Sequence, residues 1–164
     1  MNQAWVGLGS NLEEPLAQLT DAYRRLAANP QIRVEAASSV YLSAPQGPQD
    51  QPDFYNAVLW LRTSMTPEKL LASLLATETE MGRKRIRHWG ERCIDLDLLA
   101  YEKVEISSPD LVLPHPRAHE RRFVLDPLIE LLGEDYCLLG TSALQALQAQ
   151  CAEQVIRVLC DFPR

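Results

Sequence analysis

Asp95 and Asp97 stand one residue apart in the segment Arg92-Cys93-Ile94-Asp95-Leu96-Asp97-Leu98-Leu99. The apolar residues at 94, 96 and 98 alternate with the carboxylates, which is the period of a strand with one buried face. Both carboxylates then share the other face, with Cβ atoms roughly 6.5 Å apart. Two like charges so placed repel unless a cation lies between them. The span suits a pair of Mg²⁺ ions about 3.5–4 Å apart. Mg²⁺ takes one or two carboxylates together with phosphate oxygens and water, so two Asp suffice. A bare Asp-x-Asp describes a solvated strand face; its setting turns this one into a metal site.

That setting is basic. Residues 83–92 hold five Lys/Arg (Arg83, Lys84, Arg85, Arg87, Arg92) against Glu91, a net of +4, leaving −10 for the rest of a chain whose net charge is −6. The overall charge excludes a general nucleic-acid coat. A basic island in an acidic chain fits a local anionic ligand, because Arg forks bind phosphate oxygens bidentately. A third cluster, Pro114-His115-Pro116-Arg117-Ala118-His119-Glu120-Arg121-Arg122-Phe123, offers His115 and Arg121 as phosphate or leaving-group contacts. His119 and Arg122 are expected to be simply exposed. There is no G-x-x-x-x-G-K-[ST], so a P-loop is excluded. Gly7 and Gly9 could let a flat ligand approach the backbone. Phe54, Asn56, Trp89 and Phe123 could wall and read it.

The elements that must position these groups follow from local signals. Residues 4–9 read as a buried strand entering a Gly/Ser/Asn turn. Pro15 starts an amphipathic helix ending before Asn29-Pro30. Residues 32–43 read as one long strand, 44–53 as a loop and 54–61 as a strand. Thr66-Pro67 opens a helix that Gly82 ends. A strand over 94–101 follows, with 104–107 as its pairing partner. Asp126-Pro127 caps a short helix through Leu132, residues 141–150 form another, and 155–160 a last strand. This order predicts an α+β fold: a ferredoxin-like, split-βαβ antiparallel sheet with helices on one face, plus C-terminal additions.

The bulk numbers are consistent. A chain of 164 residues, 46% hydrophobic and 23% charged, suits one globular domain over 1–164. The N-terminus has neither a signal peptide nor a membrane span. Four cysteines without a C-x-x-C pair read as free thiols of a reducing cytoplasm.

With these residues laid out, the chain resembles the 6-hydroxymethyl-7,8-dihydropterin pyrophosphokinase family of folate biosynthesis. The likeness rests on residues 88–99 (His-Trp-Gly-Glu-Arg-Cys-Ile-Asp-Leu-Asp-Leu-Leu). It extends to Gly7-Leu8-Gly9-Ser10-Asn11-Leu12, to residues 47–53, to Tyr55-Asn56-Ala57, Gly82-Arg83, Val112-Leu113-Pro114-His115, Arg121 and Phe123. It covers about residues 1–135.

The resemblance implies ATP as co-substrate, two Mg²⁺ ions and a monomeric catalyst. Asp95 and Asp97 would hold the metals, with Arg83 and Arg92 as further catalytic residues. ATP would meet Glu78, Arg83, Arg85, Trp89, Arg92, Ile94, His115 and Arg121. The pterin would meet Gly9, Ser43, Ala44, Gln46, Phe54, Asn56, Trp89, Asp95 and Phe123. Departures from the family pattern fall at Ser43-Ala44, Gln46, Phe54 and Pro116. A single-strand RNA-binding module is the alternative. A third reading is a binding protein on the same fold; the intact Asp95, Asp97, Arg92 and His115 weigh against it.

Overall fold

The computed structural model describes residues 1–12, 14–45, 47–82, 93–102, 104–138 and 142–163. Its centre is a sheet of β1 (Asn2–Ser10), β2 (Ile32–Ala37), β3 (Val40–Ser43), β4 (Phe54–Thr63), β5 (Asp95–Tyr101) and β8 (Ile156–Cys160). The order is β5-β1-β4-β3-β8, with β2 also paired to β4, and every pairing is antiparallel. β1 thus lies between the two strands joined through α2, the interleaving that a split βαβ requires.

The helices start and stop where their chemistry dictates. α1 (Pro15–Ala27) has Pro at its start and buries Leu19, Ala22 and Leu26. α2 (Pro67–Glu80) opens with the Thr66 hydroxyl accepting the Lys69 N–H at 3.2 Å and buries Leu70, Leu74, Thr77 and Glu78. Gly82 ends it at φ +74°, which a residue without Cβ adopts freely.

α1 and α2 cover one face of the sheet, against Ala4, Val6, Leu8, Leu59, Leu61, Leu96 and Leu98. These two are the helices of the split-βαβ unit, on one face as its order implies; the C-terminal additions take the other. α3 (Arg122–Leu132) and α4 (Leu144–Ala149) cover half of the other face, over Trp5, Val58, Leu99 and Ala100.

Several element bounds differ from the sequence reading. The long strand over 32–43 is two strands, because the regular ladder stops at Ser38: its N–H reaches the Val58 carbonyl, but its hydroxyl, not its carbonyl, accepts the Val58 N–H at 2.9 Å. Residues 106–107 (β6) pair with β7 (Val112–Leu113), not with β5. Asp126-Pro127 is no cap. α3 begins at Arg122, and Pro127 sits inside it, leaving the Phe123 carbonyl without its helical donor. Burial of Val124, Leu125, Pro127 and Leu128 holds the helix together. α4 is shorter than 141–150 because only Leu144 and Leu147 find the core.

Among the described residues no helix is long and apolar enough to cross a membrane. The four cysteines carry no disulfide.

Candidate active site

Strand alternation builds the floor of the site. On β1, Ala4, Val6 and Leu8 face α1 and α2, so Gly7 and Gly9 face the other way. β5 sends Asp95 and Asp97 to that same side, in register with Gly9 and Gly7. Asn56 on β4 is registered with both Gly9 and Tyr41. The part of this face that α3 leaves uncovered is a cavity lined by Gly7, Gly9, Ser43, Ala44, Phe54, Asn56, Asp95, Asp97, Arg121 and Phe123. A Cβ at Gly9 would stand 3.4 Å from Asn56 Oδ1, so the missing side chain is what keeps the floor low.

Asn56 is only 3% exposed. Its Nδ2 donates to Ser43 Oγ at 2.8 Å and to the Phe54 carbonyl at 3.2 Å. The amide is thereby oriented with its nitrogen toward the β3 side and its oxygen over Gly9. Phe54 enters from the start of β4 and Phe123 from the first turn of α3. The Arg121 guanidinium lies 5.3 Å from the Phe123 ring centroid, within cation–π range.

A second cavity adjoins the first. It is lined by Leu71, Leu75 and Glu78 of α2, Leu96, Asp97 and Leu98 of β5, and residues of the 109–116 segment including His115. Asp97 lines both cavities. His115 is brought there by a bulge. The β1–β5 register shifts between Trp5 and Val6, so Leu99 is the extra residue on β5. The Leu99 carbonyl accepts the His115 N–H at 2.8 Å.

The electrostatics are uneven. Burial first, then Arg121 and Arg117, push the His115 imidazole down to about 4. It is neutral at pH 7, and its Nδ1 accepts the Arg117 N–H at 3.2 Å. Nε2 therefore carries the proton and is a donor. Burial also lowers Arg121 from its ordinary value, while Asp97 most strongly, and then Glu120 and Asp95, favour its charge. The two carboxylates are thus felt at the guanidinium on the opposite wall. For a hard cation the donor set fits: two half-buried carboxylates on one strand face, opening into a cavity.

Most of the residues singled out in the sequence come together here. Gly9, Ser43, Ala44, Phe54, Asn56, Asp95, Asp97, Arg121 and Phe123 share the first cavity, and Glu78, Asp97 and His115 share the second. Ile94 is fully buried with Leu96 and Leu98 in the core and lines neither cavity. Glu78 lines the second cavity, but its carboxylate also accepts the Leu96 N–H at 2.7 Å. The expected exposure of Arg122 is overturned: it pairs with Asp126 at 3.0 Å, one helical turn on. Gln46, Arg83, Arg85, Trp89 and Arg92 lie outside the described residues.

The sequence reading missed the fastening of the 44–53 loop. Asn11 Nδ2 donates to Gln51 Oε1 at 3.0 Å and to the Pro52 carbonyl at 2.9 Å. A Gly-Ser-Asn turn ending a strand was the available signal.

The comparisons with known proteins bear on this geometry. The model of the 7,8-dihydro-6-hydroxymethylpterin-pyrophosphokinase family matches residues 5–133. The chain belongs to this family. A 2-amino-4-hydroxy-6-hydroxymethyldihydropteridine pyrophosphokinase of Methylorubrum extorquens is 45% identical over 147 residues, 90% of this chain and 92% of that one. The protein of the same name from Haemophilus influenzae is 41% identical over 153 residues, 93% and 95% of the two chains.

In fold, the chain is similar to a solved Plasmodium falciparum HPPK-DHPS with pteroate, with a TM-score of 0.70 at 12% identity over 91% of this chain. It spans 44% of that longer protein. The RNA-binding alternative finds no support. Trp5 and Trp60, opposite each other on β1 and β4, pack with the α3 and α4 core instead of forming an open stacking platform.

Proposed function

We propose that this chain performs its family's reaction, moving the diphosphate of ATP onto the hydroxymethyl group of 6-hydroxymethyl-7,8-dihydropterin. The observation that carries the reading to residue level is the pair of cavities meeting at Asp97. The cavity between Phe54 and Phe123 takes the flat pterin, stacked on both rings. The Asn56 amide oxygen accepts a pterin N–H, since its nitrogen is occupied by Ser43. The cavity bordered by Glu78 and His115 takes ATP. Neutral His115 donates from Nε2 to a phosphate oxygen, and Arg121 supplies positive charge from the α3 wall. Arg83, Arg85, Arg92 and Trp89 join them on the triphosphate; the support for these four is the basic island of the sequence.

Asp95 and Asp97 would hold two Mg²⁺ ions, which when bound would neutralise phosphate charge and acidify the attacking hydroxyl. The pterin hydroxyl oxygen forms a bond to the β-phosphorus and gives up its proton to solvent, assisted by the Asp97 carboxylate. The bond from that phosphorus to the oxygen bridging the α-phosphate breaks, and AMP leaves. Placing the pterin and the triphosphate on either side of Asp97 brings the hydroxyl oxygen and the β-phosphorus together.

Nucleotide product analysis tests the reading. The chain is mixed with ATP, Mg²⁺ and 6-hydroxymethyl-7,8-dihydropterin, with a control lacking pterin. AMP formed in step with a diphosphorylated pterin is expected. ADP would mean transfer of the γ-phosphate, and no turnover by folded protein would mean a binding protein.

A further inference from the structure

The helix that carries Phe123 starts without a local cap. Arg121 occupies the N-cap position of α3, and its side chain makes no capping hydrogen bond. It cannot, because a guanidinium has donors only, and a cap must accept. The acceptor comes instead from a residue 32 positions along the chain: Gln154 Oε1 takes the Arg122 N–H at 2.9 Å. The same amide donates from Nε2 to the Glu120 carbonyl at 2.7 Å. The Arg122 side chain donates back to the Gln154 carbonyl at 3.2 Å.

The chain then crosses to the opposite wall of the cavity. The Val155 carbonyl accepts the Ala44 N–H at 3.4 Å, and Ile156 is registered with Ser43. Phe123 on one wall, and Ser43 and Ala44 on the other, line one cavity. Residues 154–156 join those walls with about 7 Å of extended chain. A Ser or Asp at position 121 would cap α3 locally but would remove the cation from the cavity. The chain separates the two tasks, keeping charge at 121 and placing the cap at 154.

We propose that Gln154 is a positioning residue for the bound heterocycle. By capping α3 from the C-terminal strand segment, it sets the distance between Phe123 and the Ser43–Ala44 wall. This inference rests on the pterin-pocket reading given above.

Two variants of the full chain test it. Q154M keeps the side-chain length and loses both amide bonds. Q154E keeps an acceptor for the Arg122 N–H and sets a carboxylate against the Glu120 carbonyl. For Q154M the pterin KM should rise roughly fivefold, while the ATP KM stays within about twofold, the effect of one lost cap confined to one wall. Exchange of the Arg122 amide with solvent deuterium should quicken in Q154M, and Q154E should recover most of the pterin KM.

An unchanged pterin KM in Q154M, or equal rises for pterin and ATP, would overturn the role of Gln154. Failure of Q154E to recover any affinity would also count against capping as the cause. Direct titration of the wild type with 6-hydroxymethylpterin separates the two levels of argument. A wild type that binds no pterin sinks the pocket reading itself; a wild type that binds, beside an indifferent Q154M, sinks only the Gln154 assignment.

Discussion

The two faces of the sheet solve different problems. One packs under α1 and α2, mostly through aliphatic side chains: Leu19, Leu26, Leu70 and Leu74 cluster with Val6, Leu59, Leu61 and Ile94. The other is divided. Its Trp5–Val58–Leu99 half is closed by α3 and α4, and its Gly7–Gly9–Asp95–Asp97 half is left open as a cavity. The same strands supply both faces, so alternation divides residues 95–98 of β5 between them, until the bulge at Leu99 breaks the parity. Asp95 and Asp97 face the first cavity, whereas Leu96 and Leu98 join the core under α2 and also border the second cavity.

Substitutions should separate the two accordingly. The largest effect is expected for Asp97→Ala, with Asp95→Ala close behind. Turnover measured as AMP release should fall at least about a thousandfold, while the thermal midpoint stays near that of the parent. Near-normal turnover by either folded variant would remove the metal-pair assignment. On the other side of the strand layer, Leu74→Ala should cost about 3 kcal/mol in urea unfolding, because Leu74 is fully buried and leaves a cavity. Activity per folded molecule should hold; a variant that loses both alike would show that the faces are not independent.

Phe123→Ala sits where the two halves of the second face meet, on the wall between cavity and core. It should raise the pterin KM about tenfold and leave the ATP KM nearly alone, from lost ring stacking. Equal changes in the two constants would argue that the ring serves the core alone.

The smallest effect concerns pH. His115 titrates at about 4 in the folded chain, below its ordinary 6.5. Between these values the unfolded chain binds the proton more readily. The contribution of His115 to stability is therefore complete above pH 6.5 and is lost as pH falls toward 4. His115→Asn should flatten that part of the curve, read from urea midpoints at closely spaced pH. Parallel curves for parent and variant would remove the burial argument.

A clasp on the second face shows how far such positioning extends. The Glu130 carboxylate of α3 accepts the Ser39 N–H at 2.9 Å, the Ser39 hydroxyl at 3.0 Å and the Tyr41 hydroxyl at 2.7 Å. Burial, and then the Glu130 hydrogen bond, raise the Tyr41 phenol above its ordinary range, so it stays a donor. Nothing near Glu130 in the sequence points to residues 39 and 41, because the bonds join positions about ninety residues apart.

The sequence by itself determined what is local. Alternation placed Asp95 and Asp97 together, opposite Ile94, Leu96 and Leu98. Thr66-Pro67 and Gly82 bounded α2, and the motif residues announced the family. These features depend on neighbours within a few positions, where backbone sterics and hydrogen bonding act directly.

Only the tertiary structure decided the rest. It split the strand at Ser38, where a hydroxyl bonds across to Val58. It started α3 five residues before Pro127, because the second core pulls Val124 and Leu125 inward. It bulged β5 at Leu99 to receive His115, and it capped α3 with Gln154. Each of these turns on a hydrogen bond or a packed side chain from a distant segment. Its free energy exists only once the sheet has brought the two segments together.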